Sequence, residues 1–158
     1  MTNIGIEDKN SAQVVKILTR VLADEYVLYT KTRGYHWNVV GMQFNDLHKF
    51  FEAQYTALEQ IVDDVAERAR TLGGHALGSL QEMLDSKTLE EDSTKGSDAQ
   101  HMIRSLLSDH EDVIKKLRKD LRACDEKYND MGTSDFLTGL MESHEKMAWM
   151  LRAHLEGK

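Results

Sequence analysis

Apolar residues recur at intervals of three and four along four long stretches of the chain, the period of an amphipathic helix rather than the alternation of a strand. The first stretch, residues 9–38, repeats Val14, Ile17, Leu18, Val21, Leu22, Tyr26, Leu28 and Tyr29. The second, 44–72, repeats Leu47, Phe51, Leu58, Val62, Val65, Ala69 and Leu72. The third, 97–126, opens on Ser97-Asp98-Ala99-Gln100, the form of a capping box, and runs through Met102, Leu106, Val113, Leu117 and Leu121. The fourth, 133–156, repeats Phe136, Leu140, Met147, Met150 and Leu151. Glycines at 34, 41, 73, 74, 78, 96 and 132 punctuate these stretches. Four such helices on short links predict an all-α four-helix bundle. One link is long. Between Gly73 and Gly96, Leu77, Leu80, Met83 and Leu84 predict a short extra helix, in a connection long enough to let helices two and three run in the same direction.

Composition narrows the class. The chain has 158 residues, 41% apolar, with eight Met and no Pro, a balance that favours helix. That length predicts one domain, residues 1–158, with residues 1–8 as a mobile tail. A net charge of −7 argues against general binding to a phosphate backbone. The longest apolar run, Met147 to Leu151, falls far short of the roughly 20 residues that span a bilayer. Residues 1–15 carry Glu7 and Asp8 and lack the apolar stretch of a secretory signal. Cys124, with no second cysteine, excludes an intrachain disulfide and fits a reducing compartment, so a cytoplasmic location is expected.

The candidate chemistry lies on helix two. His48 with Glu52, and Asp63 with Glu67, are couples at i, i+4, so each can grip one ion from one side. Imidazole and carboxylate together suit borderline first-row cations such as iron, zinc and manganese. Taken alone, such couples are usually solvated surface. At 100° per residue all four side chains fall on one face, about 120° from the centre of the apolar stripe. That face is open to water or turned toward another subunit. His48 and Asp63 lie about 22 Å apart along a straight helix, so no single ion touches both couples of one chain. A two-fold axis crossing helix two near residues 57 and 58 would set His48 and Glu52 of one chain opposite Asp63 and Glu67 of the next, making each site twice. His36 adds a test: it and His48 are equally distant from Met42 in the turn, so an antiparallel hairpin brings them level.

These residues match a known pattern. His36-Trp37-Asn38-Val39-Val40-Gly41, Phe44, Leu47-His48, Asp63-Asp64-Val65-Ala66-Glu67-Arg68 and Leu72-Gly73-Gly74 strongly resemble the Dps family of miniferritins. The likeness continues more loosely at Ala76-Leu77-Gly78 and Ala148-Trp149-Met150-Leu151. The resemblance implies a ferritin-like bundle assembled into a homo-dodecameric shell. It also implies ferroxidase sites at the two-fold interfaces, two irons per site, that oxidise Fe(II) to Fe(III), usually with hydrogen peroxide, and a ferric mineral stored inside. The family's ligands fall on His36, His48, Glu52, Asp63 and Glu67, and Trp37 corresponds to a tryptophan beside the site that quenches radicals. Glu52 departs from the pattern, since many members carry Asp there; its extra methylene lengthens the reach by about 1.5 Å. Acidic entry channels would draw Fe(II) inward, with Asp125, Glu126 and Asp130 as candidates.

Three other readings are weighed against this one. A di-iron site inside a single bundle would need Glu-x-x-His pairs, and no Glu is followed by His three residues on. DNA compaction, which some family members perform through a Lys-rich tail, finds little support here: residues 1–10 carry one Lys, and acidic residues flank the cluster Lys115, Lys116, Arg118 and Lys119. A plain helical scaffold would be a monomer with no saturable Fe(II) uptake.

Overall fold

The computed structural model describes residues 3–93 and 95–156. Its helices are α1 (Asp8–Asn38), α2 (Phe44–Thr71), the short α3 (Leu80–Ser86), α4 (Ala99–Arg122) and α5 (Met131–Ala153). No strand occurs among the described residues. The tail expected over residues 1–8 lies partly outside the described residues, at Met1 and Thr2. Of the rest, Asp8 already opens α1 and Ile6 packs against the core.

The apolar stripes meet as their spacing requires. Leu18, Leu22 and Leu28 of α1, Phe51 and Leu58 of α2, Leu106 and Leu117 of α4, and Leu137 and Leu151 of α5 are fully buried in one continuous core. Burying a side chain of this size is worth about 1.5–3 kcal/mol, so these stripes supply the main drive to bundle. Met150, placed on the stripe by spacing, is exposed instead. The α1–α2 turn passes through Gly41 at φ +114°, where a side chain would strain the backbone. Gly74 holds a tight approach: a Cβ there would stand 2.5 Å from Val15 Cγ1.

Helix ends differ from expectation by up to four residues. The N-cap of α4 is Asp98, whose side chain accepts from the His101 N–H; Ser97 does not take that place. Aspartate is as good an N-cap as serine, so the backbone path decides between them. The reciprocal capping box closes α3 instead, between Ser79 and Glu82. Asp130 caps α5 by accepting from the Thr133 N–H, so that helix starts two residues earlier than its apolar pattern suggests. α4 ends in a π turn over Ala123–Lys127. The long connection is pinned to α1 by Asp24, whose carboxylate accepts from the backbone N–H groups of Thr88 and Leu89.

Candidate metal centre

His36 sits at the last turn of α1 and His48 one turn into α2, and the turn through Gly41 folds them onto each other. Their rings stack with centroids 3.8 Å apart and planes 20° from parallel. His36 Nδ1 lies 2.7 Å from the His48 carbonyl, and His48 Nδ1 lies 2.8 Å from the His36 carbonyl. A carbonyl oxygen only accepts, so both Nδ1 atoms carry a proton, and in the neutral form of each ring Nε2 keeps the lone pair. This is the tautomer a metal ligand needs, fixed by backbone partners on the far side of each ring. His36 is buried and His48 half-buried, flanked by Tyr55 at 5.1 Å from the His36 centroid and Phe44 at 5.1 Å from that of His48.

Glu52 follows His48 by one turn on α2 and is exposed. Asp63 and Glu67 are also exposed, near the opposite end of the same helix. The chain thus brings His36 and His48 together and keeps Asp63 and Glu67 apart from them. Among the described residues no three His, Cys, Asp or Glu side chains of one chain converge on a point that could hold a metal. A groove of about 770 Å³ runs beside Asp63 of the second couple, lined also by Tyr26, Tyr29, Glu59 and the α3 side chains Leu80 and Met83. Leu80 on its wall is 69% exposed, a large apolar side chain left uncovered beside charged residues.

Other candidates fall differently. Asp130 does not line a channel: it is buried, caps α5, and pairs with Arg68 Nη2 at 3.1 Å. Asp125 and Glu126 remain exposed in the π turn. The basic cluster is largely engaged by acids, with Lys115 on Asp112, Lys116 near Asp24 and Arg118 on Glu145. Cys124 is buried, and burial pushes its thiol up to about 12, so it is an unreactive core side chain at neutral pH.

Spacing alone did not expose two clusters. Arg33 stacks its guanidinium over Tyr29, Trp37 and Tyr55, at 5.6, 5.6 and 5.1 Å from their centroids. Glu25, His144 and His110 form a chain in the bundle centre, with His144 Nε2 2.9 Å from Glu25 Oε1 and the two histidine Nδ1 atoms 2.9 Å apart. All three are fully buried. A signal for them exists: Glu25 follows Leu22 by three, and His110 and His144 follow Leu106 and Leu140 by four, each on an apolar stripe. Burial and the neighbouring His144 hold the His110 imidazole well below its usual range.

Comparison with known proteins places this geometry. A family model for the ferritin-like domain matches residues 15–157. The chain is 45% identical to an uncharacterized low temperature-induced protein of Nostoc, over 99% of this chain and 87% of the relative. It is 36% identical to DNA protection during starvation protein 2 of Bacillus anthracis, over 90% of this chain and 97% of the relative. Among solved structures, the Dps protein of Vibrio cholerae, described as a member of a broad superfamily of ferritin-like diiron-carboxylate proteins, superposes with a TM-score of 0.92 at 31% identity. That match covers 99% of this chain and 97% of the other. DpsC of Streptomyces coelicolor superposes with a TM-score of 0.96 at 26% identity, covering 100% and 92%.

Proposed function

The chain belongs to the Dps family of ferritin-like proteins, and on that footing we propose that it is a ferroxidase whose active sites are shared across a two-fold contact. Each site takes His36, His48 and Glu52 from one protomer and Asp63 and Glu67 from its partner. Iron storage and protection are the role the family supports. The finer reading is that two Fe(II) ions per site are oxidised by hydrogen peroxide and the ferric product is stored inside a dodecameric shell in the cytoplasm.

The observation that carries this reading is the reciprocal imidazole pair. Two rings locked by opposite carbonyls leave, in their neutral form, two Nε2 lone pairs, and an exposed carboxylate, Glu52, follows His48 one helical turn on. That makes half of a coordination sphere. Of the other half, Asp63 with Glu67, Asp63 borders a groove with the uncovered apolar side chain Leu80 on its wall, the kind of surface a second copy would close. The donor set suits the substrate: imidazole favours Fe(II), carboxylates favour the harder Fe(III) product, and mixing them lets iron bind, change valence and leave. Two irons at one site each give one electron to peroxide, which then goes to water without releasing hydroxyl radical. Direct DNA binding is not part of this reading, since the basic cluster on α4 is largely paired.

Asp63→Ala combined with Glu67→Ala tests it. The variant should elute in size-exclusion chromatography with the wild-type assembly, near twelve times the 18.1 kDa chain mass. Stopped-flow absorbance should show peroxide-driven Fe(II) oxidation slowed by about 10²-fold or more, as expected when metal ligands are removed. Wild-type rates in the assembled variant would refute the shared site.

A further inference from the structure

A line of aromatic rings leads away from the imidazole pair. Tyr55 meets His36 edge-on, with centroids 5.1 Å apart and planes at 72°. Tyr29 meets Tyr55 edge-on at 6.3 Å, and Tyr26 follows at 5.9 Å. Arg33 binds the three-ring group Tyr29, Tyr55 and Trp37 together from its position over their faces. Arg33 Nη1 also donates to the Tyr29 hydroxyl. A hydroxyl that accepts from a guanidinium must aim its own proton elsewhere, and the group it aims at is the Glu59 carboxylate, Oε1 at 3.5 Å. A small side-chain rotation closes that gap to hydrogen-bond length. Glu59 is exposed on α2 and lines the groove along with Tyr26 and Tyr29.

We infer that Tyr29 is an electron donor to the site, reached through Tyr55 and His36, with Glu59 taking its phenolic proton. This rests on the ferroxidase reading above and answers a case that reading leaves open. A site holding a single Fe(II) has one electron for an oxidant that needs two. Tyr29 supplies the second. One peroxide, one Fe(II), one tyrosine, the Glu59 carboxylate and two protons from solvent give two waters, one Fe(III), one neutral tyrosyl radical and a protonated Glu59; the O–O bond breaks, and iron and Tyr29 are each oxidised by one electron. The cation of Arg33 opposes a charged radical on its ring neighbours, so the oxidised tyrosine forms only if the proton leaves with the electron. The Glu59 carboxylate is placed to receive it. Trp37, on another side of the same guanidinium and 67% exposed, is hydrogen-bonded to no carboxylate among the described residues.

The test loads the assembled wild-type protein anaerobically with one Fe(II) per proposed site, adds one equivalent of hydrogen peroxide, and freeze-quenches for electron paramagnetic resonance. A tyrosyl signal is expected, narrowed when the protein carries ring-deuterated tyrosine. Tyr29→Phe should cut the signal by at least about fivefold, and Glu59→Gln by about threefold, while Fe(II) oxidation at two irons per site stays within about twofold of wild type. Tyr26→Phe, at the far end of the line, should leave the signal in place. Undiminished signal in Tyr29→Phe, or loss of it in Trp37→Phe with Tyr29 intact, would overturn the inference while leaving the ferroxidase reading standing. Absence of fast Fe(II) oxidation in wild type would instead bring down both.

Discussion

A single hydrogen bond on one nitrogen of an imidazole decides what the other nitrogen can do. In His36 and His48 each Nδ1 proton is committed to a carbonyl of the facing helix, so the pair in its neutral form presents two lone pairs at no further cost in ordering. Glu52 contributes differently. It is exposed and one methylene longer than the aspartate the resemblance leads one to expect, so in the proposed site its carboxylate would take up its position only when iron binds. Glu52→Gln keeps the shape and removes the charge. Anaerobic Fe(II) titration should show about tenfold weaker binding at one of the two iron positions, the equivalent of about 1.4 kcal/mol. Equal affinities would take Glu52 out of the ligand set. Both histidines were legible as candidates from their equal distance to Met42. Their tautomers were not, because those depend on carbonyls contributed by a neighbouring helix.

Among the helices, the ends show how much depends on one side chain. Asp130 accepts from the Thr133 N–H and hydroxyl and holds Arg68, itself donating through Nε to the Thr133 hydroxyl. One carboxylate thereby ties α5 to α2. Asp130→Ala should lower stability by about 2–4 kcal/mol, the sum of a lost cap and a stranded, partly buried guanidinium. Asp130→Asn keeps an acceptor for the cap and should lose less. Urea midpoints at matched protein concentration measure both; equal losses for the two variants would mean that the charge on Asp130, not the cap, is what matters. The helices themselves were readable from the spacing of Leu, Val and Met because one face of each is buried. Sequence reasoning puts the cap of α4 at Ser97 rather than Asp98, and Asp130 in a channel rather than at a cap, since several polar residues precede each helix and only the backbone path selects among them.

At the scale of the whole bundle, the buried Glu25–His144–His110 chain sets a pH limit. His110 is held neutral in the folded protein, below its usual 6.5, by desolvation and by His144. The unfolded chain takes up that proton below about pH 6.5 and the folded chain does not, so this stability is present above that pH and lost as the pH falls. The loss from His110 should approach about 1.4 kcal/mol per pH unit below the unfolded pKa. Urea unfolding at pH 7.5, 6.5 and 5.5 measures it, and His110→Gln should flatten the slope; an unchanged slope in that variant would assign the pH dependence to other groups. The sequence by itself determined the all-helical class, the pairing of α1 with α2 through a short turn, the extra helix in the long connection and the ligand candidates on one face of α2. Each of these follows from periodicity within one helix or from chain length between two. Only the tertiary structure decided which polar residues on the apolar stripes would be buried, which nitrogen of each imidazole would be free, and that Arg33 would gather Tyr29, Tyr55 and Trp37 beside His36. The physical reason is the same throughout: these outcomes depend on side chains from different helices meeting at a few ångströms, and spacing along one strand of sequence carries no measure of that distance.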